Sequence, residues 1–442
     1  MPVLAAEARA GKARPVRPKP EQGHPPSVPM PPERPVHRVC AESEEDITHA
    51  IHLARANGST VRALGAAGSK NDCGTCSGVV LDLSRCNRVL AVDANLVTVE
   101  AGMTVSELNR HLDARGLAIP TQGEWAGATT GGALATGTHG GSSRYGILPT
   151  SVHSIRLIGA EGIPVEIRRD SPLFRQAGVS LGLLGIVSAI TFACEERFQL
   201  GLTVRVLTFR QYLDGLNAEM RASEFCSAVW IPTAGRVISF VANRTHALPS
   251  AHRRLLRFGA TVFGLGWASR SLHLDLFNPA WFADTTIDWC DRIITPIRNG
   301  SGRTRLYRFL SRSWMAAEFA VATSEAVPTL TGLEALLARH PLALTHPVGL
   351  RPTAADDFAL SPANGRPTFW IDIFYRDHRG FAEALRDFLE GREARCHWGK
   401  HIGLSAEHLR RQYAELPAFR AERATLDPEQ LFMNRFARRL GL

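Results

Sequence analysis

The sequence predicts an α+β fold of two or three domains. Three observations carry that expectation. The 442 residues are 45% hydrophobic and 21% charged, the balance of an ordinary globular chain. Helical and strand periodicities alternate from residue 36 to 196 and mix less regularly to 390. From 393 onward the chain reads as helical around a single Trp-Gly-Lys turn.

The elements follow in order. Residues 1–38 hold seven Lys/Arg against three Glu, and ten of the 26 prolines. A segment so poor in large apolar residues predicts a disordered, partly polyproline arm. It has no apolar h-region, so it is not a secretory signal. A basic arm can touch nucleic acid, but this one lacks interleaved aromatics for base stacking, and no nucleic-acid partner is expected. Ser43 followed by Glu44, Glu45 and Asp46 predicts a helix start, with Ile47, Ala50, Ile51 and Ala54 on one face and Asn57-Gly58 as the stop. "TVRALG" (60–65), "GVVLDLS" and "LVTVEAG" read as strands, and "TVSELNRHLDARG" as an amphipathic helix closed by Gly116. "SVHSIRLIGAEGIPVEI" reads as a hairpin, and "GLLGIVSAITFACEE" as a glycine turn before a buried strand. Strands are expected near 202–209, 227–231 and 236–242, and helices near 211–222 and 380–391.

Composition also excludes classes. The best transmembrane candidate, "FGATVFGLGWA" at 258–268, has eleven residues and suits a buried segment better. Cys73-Gly-Thr-Cys76 has no second pair and does not open a thioredoxin-like helix, so neither a zinc ribbon nor a redox motif is expected. The scattered remaining cysteines fit a reducing cytosol, and a cytoplasmic location is expected.

Two glycine-rich loops follow strands. One is "GAAGSKND" (65–72). The other, "TTGGALATGTHGGSSRYG" (129–146), has six glycines in eighteen positions and no acidic residue. Glycine loses more conformational freedom on folding than any other residue, so such a cluster implies a close approach of backbone to something. Neither loop is a Walker loop or a dinucleotide fingerprint. No carboxylate pair or magnesium ligand accompanies them, which argues against kinase chemistry. The pattern fits an extended ligand cradled by main-chain amides.

"VRALGAAGSKND", "TTGGALATGTHGG", "SLGLLGIVSAIT" and "HWGK" occur in that order. In this the chain resembles the vanillyl-alcohol-oxidase, or PCMH-type, FAD-binding superfamily, and within it the aldonolactone and alditol oxidases, gulonolactone oxidase among them. The resemblance covers 36–196 and 393–442 well. It implies a disordered arm over 1–36 and a PCMH-type FAD-binding domain of two α/β subdomains over 37–198. It further implies a cap or substrate domain with an antiparallel sheet flanked by helices over 199–392, and a segment, 393–442, returning to the FAD domain. It implies FAD along Gly65, Ala66, Ala67, Gly68 and Ser69, then Thr129, Thr130, Gly132, Thr136, Gly137, Thr138 and His139, with Gly185, Ile186 and Val187 touching it by main chain.

Two departures matter. Covalent relatives carry a flavin-tethering histidine in the first loop. Here Gly68 stands there, so FAD is expected to be held noncovalently. The family's Glu-x-Arg matches "HPVGLRP", which keeps Arg351 but places Gly349 at the acid. Arg351 is therefore expected to point into the site without its carboxylate partner. Phe374 stands where relatives often have histidine. Together these imply a substrate larger and more apolar than a sugar lactone. The expected chemistry is hydride transfer from a substrate C–H, of an alcohol or lactone-like carbon, to flavin N5. Lys400 is the first candidate for the cation near flavin N1 and Arg351 the second. His397 stands beside Lys400, and Asp372 is the candidate base. Glu318, in "AAEFAV", is expected to be structural, and no metal site is expected. Two other classes remain open: a degenerate flavin binder that does not turn over, and an RNA- or anion-binding protein using the basic arm.

Overall fold

The computed structural model describes residues 35–246, 315–344 and 346–442. The basic arm before 35 and the apolar segment 258–268 lie outside these residues. The first layer is a parallel three-stranded sheet, β1 (His37–Cys40), β2 (Val61–Leu64) and β3 (Val79–Asp82), in the order β1-β3-β2. Helix α1 (Glu44–Ala56) packs on it. Ser43 and Asp46 form a reciprocal capping box at its start, and Ile47, Ala50, Ile51 and Ala54 are the buried face.

A five-stranded antiparallel sheet follows. Its strands are β4 (Val89–Asp93), β5 (Leu96–Glu100), β7 (Val152–Ile158), β8 (Pro164–Arg168) and β9 (Ile186–Ala193), in the order β4-β5-β9-β7-β8. The expected hairpin is β7–β8. The apolar run of β9 is central because it is covered on both faces. Helix α2 (Val105–Asp113) carries a second capping box, Thr104 with Glu107. Short β6 (Leu117–Ala118) pairs with β10 (Glu195–Glu196). Helix α3 (Thr130–Ala135) begins inside the second glycine stretch, and α4 (Pro172–Ala177) precedes β9.

Among the described residues the third sheet has seven antiparallel strands. They are β11 (Gln199–Thr208), β12 (Phe225–Ile231), β13 (Arg236–Thr245), β14 (Met315–Ala322), β15 (Val348–Thr353), β16 (Thr368–Tyr375) and β17 (Arg395–Cys396). Their order is β11-β13-β12-β15-β16-β14-β17. Helix α5 (Phe209–Ala222) lays Phe209, Tyr212, Leu216 and Met220 on this sheet. Burying each such side chain stabilises by about 1.5–3 kcal/mol. Helices α6 (Ala326–Arg339) and α7 (Phe381–Glu390) flank the other half.

The C-terminal helices α8 (Ala406–Gln412), α9 (Leu416–Leu426) and α10 (Arg435–Leu440) return to the first layer. The Val61 amide donates to the Leu431 carbonyl at 2.7 Å, and Asn434 Nδ2 donates to the carbonyls of Asp72, Cys73 and Thr75. Arg439 pairs with buried Asp72 at 2.8 Å. The buried Arg62 guanidinium donates to the carbonyls of Cys73, Leu181, Gly182 and Phe432, fastening three stretches at one point. Cys73 and Cys76 are buried and form no disulfide among the described residues. Among the described residues no helix is long and apolar enough to cross a membrane.

Candidate active site

The floor of the site is one face of β14, β15 and β16. Cross-strand register puts Glu318 opposite Asp372 and Asp372 opposite Gly349. Two residues along, on the same face, Ala320 faces Trp370 and Trp370 faces Arg351. Four chemically distinct side chains, Glu318, Arg351, Asp372 and Trp370, thus share one buried surface. The small residues Ala316, Ala320 and Gly349 leave space above it.

The second glycine stretch and the returning segment close over this floor. The His139 ring stacks on Trp370, with centroids 3.7 Å apart. Its Nε2 lies 3.3 Å from Glu318 Oε1, and its Nδ1 lies 3.0 Å from the Gly140 carbonyl. The His397 amide donates to the Glu318 carbonyl at 2.8 Å, and the His397 ring takes the Gly399 amide on Nδ1 at 2.9 Å. Lys400 reaches Asp372 at 3.2 Å and Glu318 at 3.7 Å, with Nζ 5.4 Å from the centre of the Phe374 ring. Arg351 lies 3.7 Å from both Glu318 and Asp372, and at 2.8 Å it meets Glu124, which reaches in from the loop before α3.

Environment separates the two buried acids. Burial alone would raise the Glu318 carboxyl, but His139 first, then Lys400 and Arg351, hold it well below the usual carboxylate range. Burial dominates at Asp372, and with help from Glu318 it holds that carboxyl above its ordinary value against the pull of Lys400 and Arg351. Burial opposes the charge of Lys400, but Asp372 and then Glu318 outweigh it and keep the ammonium form. Burial pushes the His397 ring down to about 3, so it is neutral.

His139, Glu318 and His397 lie close enough to surround a cation. The hydrogen bonds oppose it: a neutral His397 that accepts on Nδ1 carries its proton on Nε2 and has no lone pair left to give.

Three corrections to the sequence-based expectations follow. Arg351 does not lack a carboxylate partner. It has three, and Asp372 Oδ2 lies 3.9 Å from where a Cβ on Gly349 would stand. Glu318 does not stand apart from the site: it sits at the centre of the charge cluster. The third concerns the second glycine stretch. The amides of Thr130 and Gly131 donate to Met103 and Ala101, that of Gly132 to the Thr129 hydroxyl, and those of Thr136, Gly137 and Thr138 into α3. This stretch therefore offers shape, with most of its donors already used. In the first loop no protein acceptor takes the amides of Ala67 and Gly68 among the described residues. Glu124 went unnoticed because a lone acid between glycines gives no pattern. Glu318 was singled out by sequence, but its contacts with His139, Lys400 and Arg351 were not.

The loops meet closely. A Cβ on Gly65 would lie 2.1 Å from Thr129 Oγ1, and one on Gly399 would lie 3.6 Å from Ser69 Oγ. The Lys70 amide donates to the Gly399 carbonyl at 2.7 Å, and Asn71 Nδ2 donates to the carbonyls of Trp398 and Lys400. The first loop therefore abuts the turn that presents Lys400. Gly185 is a glycine for packing: its φ is +150°, and a Cβ there would lie 2.6 Å from the Ile158 carbonyl. Ile186 and Val187 continue from it as the start of β9.

Residues 35–168 match a family described as FAD binding domain, and residues 190–440 match D-arabinono-1,4-lactone oxidase. The chain belongs to the D-arabinono-1,4-lactone oxidase family. It is an FAD-dependent oxidoreductase acting on CH–OH groups. It is 27% identical over 413 residues to L-gulonolactone oxidase of Bos taurus, covering 89% of this chain and 92% of that one. It is also 27% identical over 423 residues to L-gulono-1,4-lactone dehydrogenase of Mycobacterium tuberculosis, covering 92% and 97%. Alditol oxidase of a Streptomyces species is 28% identical over 382 residues, covering 82% and 86%. Among solved structures, a cholesterol oxidase from B. sterolicum superposes with a TM-score of 0.72 at 15% identity, covering 91% and 93%. That likeness speaks for the fold alone, the PCMH-type FAD-binding fold. The residues of this D-arabinono-1,4-lactone oxidase family member fit the flavin: the Ala67 and Gly68 amides of the first loop have no protein acceptor among the described residues, glycines let that loop and the Thr129 stretch approach closely, and the Lys400 ammonium lies on the turn the first loop abuts.

Proposed function

We propose that this chain oxidises a CH–OH carbon of a neutral, lactone-like or polyol substrate, using FAD held without a covalent link. The hydride acceptor would be supplied by FAD when bound. The chain's residues bind, orient and deprotonate. The observation that carries the assignment is Asp372: a buried carboxylate with a raised proton affinity, bonded to Lys400 and facing the cleft. Asp372 takes the substrate hydroxyl proton, and Lys400 positions it and supplies the cation at the cofactor edge. Glu318, ionised throughout, is the poor base of the pair and holds His139, Lys400 and Arg351 in place. Arg351 donates to substrate oxygens. Phe374 adds an aromatic ring beside Lys400, so a substrate with an apolar part on that side suits the pocket.

A noncovalent cofactor is supported at Gly68, where a Cβ would lie 1.8 Å from the Trp125 ring. We place the domain boundaries at 198 and 392, where the first two sheets give way to the third and the chain turns back. The test is anaerobic reduction of the purified yellow protein by aldonolactones, alditols and aromatic alcohols. Bleaching by one of these is expected. Flavin that none of them reduces would leave a binder without turnover, and a protein that denaturation fails to free of its flavin would end the noncovalent assignment.

A further inference from the structure

Arg351 and Glu124 are an unequal pair. The guanidinium side chain is 8% exposed, whereas the Glu124 side chain is 66% exposed, yet they meet at 2.8 Å. Glu318 and Asp372 approach Arg351 at its Nε and Nη2, both at 3.7 Å, and both also serve Lys400. Glu124 is therefore the carboxylate in direct hydrogen-bond contact with Arg351, and it arrives from the solvent side, where a ligand enters.

The backbone that carries Glu124 is held firmly. A Cβ on Gly123 would lie 2.3 Å from Thr138 Cγ2, and the Trp125 ring lies against both Gly68 and Gly127. Asn109 Nδ2 donates to Gln122 Oε1 at 2.7 Å, and the Ser106 amide donates to the Ala126 carbonyl at 2.8 Å. Main chain is fixed on both sides of residue 124, while its side chain is free on one face. The position of the carboxylate is thus set by the loop and by Arg351, and the substrate does not set it.

We propose that Glu124 sets the charge of the accepted substrate: it occupies the outer, anion-binding side of Arg351, so the site takes neutral lactones and polyols and refuses their hydroxy-carboxylate counterparts. The neutral half of this statement rests on the function proposed above; the exclusion of anions does not. Opening a lactone frees one hydroxyl and one carboxylate and unlocks the ring; of these differences, the carboxylate charge is the one that an acid at position 124 reads. An incoming carboxylate would meet Glu124, Asp372 and Glu318 together and would find Arg351 already paired. A neutral ligand can donate hydroxyls to these same carboxylates and accept from Lys400. The acid at 124 is thus a repulsive element, and specificity arises from what the site disfavours.

The test titrates the FAD-loaded enzyme and its Glu124→Gln, Glu124→Ala and Glu124→Asp variants with gluconate and with gluconolactone, reading the flavin absorbance change on binding. Gluconate binding is expected to tighten about tenfold or more in the Gln and Ala variants, to stay weak in Glu124→Asp, and to lose its gain as salt rises. The ratio of lactone to gluconate affinity falls by the same factor. Equal gluconate affinity in wild type and Glu124→Gln overturns the proposal. So does a parallel loss for both ligands, or loss of FAD from the variants, since either would make Glu124 a packing residue of the loop. If gluconolactone reduces no form of the enzyme, the proposed reaction is in doubt, and the gluconate titration still decides the role of Glu124.

Discussion

The two halves of the cleft are built in opposite ways. The half proposed for the cofactor is made of missing side chains: Gly65 against Thr129, Gly68 against Trp125, Gly123 against Thr138. The half proposed for the substrate is made of buried charged side chains on neighbouring strands: Glu318, Asp372 and Arg351, with Lys400 inserted from the returning tail. The first half reads a shape, and a substitution there harms it by adding atoms. The second half reads charge, and a substitution there harms it by removing a partner from groups already out of water.

Four experiments sharpen or break that division. The largest effect is expected on the charged side. Lys400→Met or Asp372→Asn should slow flavin reduction about a thousandfold, roughly 4 kcal/mol of barrier, with FAD still bound. Because the Asp372 carboxyl is raised, the wild-type reduction rate should climb with pH as it ionises, and stopped-flow traces of the Asn variant should lose that climb. Loss of FAD instead would erase the division.

Arg62→Met comes next. It strands four carbonyls around a buried vacancy and should cost about 3 kcal/mol in denaturant unfolding, with the flavin loop loosened. An unchanged midpoint would show that the returning tail is held by its helices alone.

On the shape side, Gly65→Ala drives a methyl into Thr129, the N-cap of α3. FAD affinity should fall about tenfold and stability by about 1 kcal/mol, read by flavin release on dilution and by melting. Retained affinity would mean that the glycines are turn formers only.

The last test is in pH. Burial pushes His346 and His397 down to about 3 and His401 to about 4. Above pH 6.5 both folded and unfolded chains keep these rings neutral. As pH falls the unfolded chain takes up protons that the folded one refuses, so stability is lost from pH 6.5 down to about 4 for His401 and about 3 for His346 and His397, by at most roughly 1.4 kcal/mol per unit for one ring. Urea midpoints should follow that slope, and His401→Gln should remove one ring's share.

Much of the fold around the glycine loops was legible because its signals are local. Ser43 with Asp46, and Gly116 after an amphipathic run, each marked a helix end within a few residues. The glycine clusters marked the cleft. The same locality misled at Thr130–Thr138, where glycines suggested free amides, yet α3 and the carbonyls of Ala101 and Met103 use them. Gly349 misled likewise: an absent acid in one strand is replaced by Asp372, its cross-strand neighbour.

The sequence by itself determined the α+β alternation, the two glycine loops, Lys400 in its His-Trp-Gly-Lys turn, and the arginine at 351. Tertiary structure alone decided that Glu124, Glu318 and Asp372 converge on that arginine. They lie 227, 33 and 21 positions from it along the chain, and only strand register and a docked loop bring such distant charges within reach. Coulomb interaction in a dry cleft depends on distance in space, which a linear string does not record.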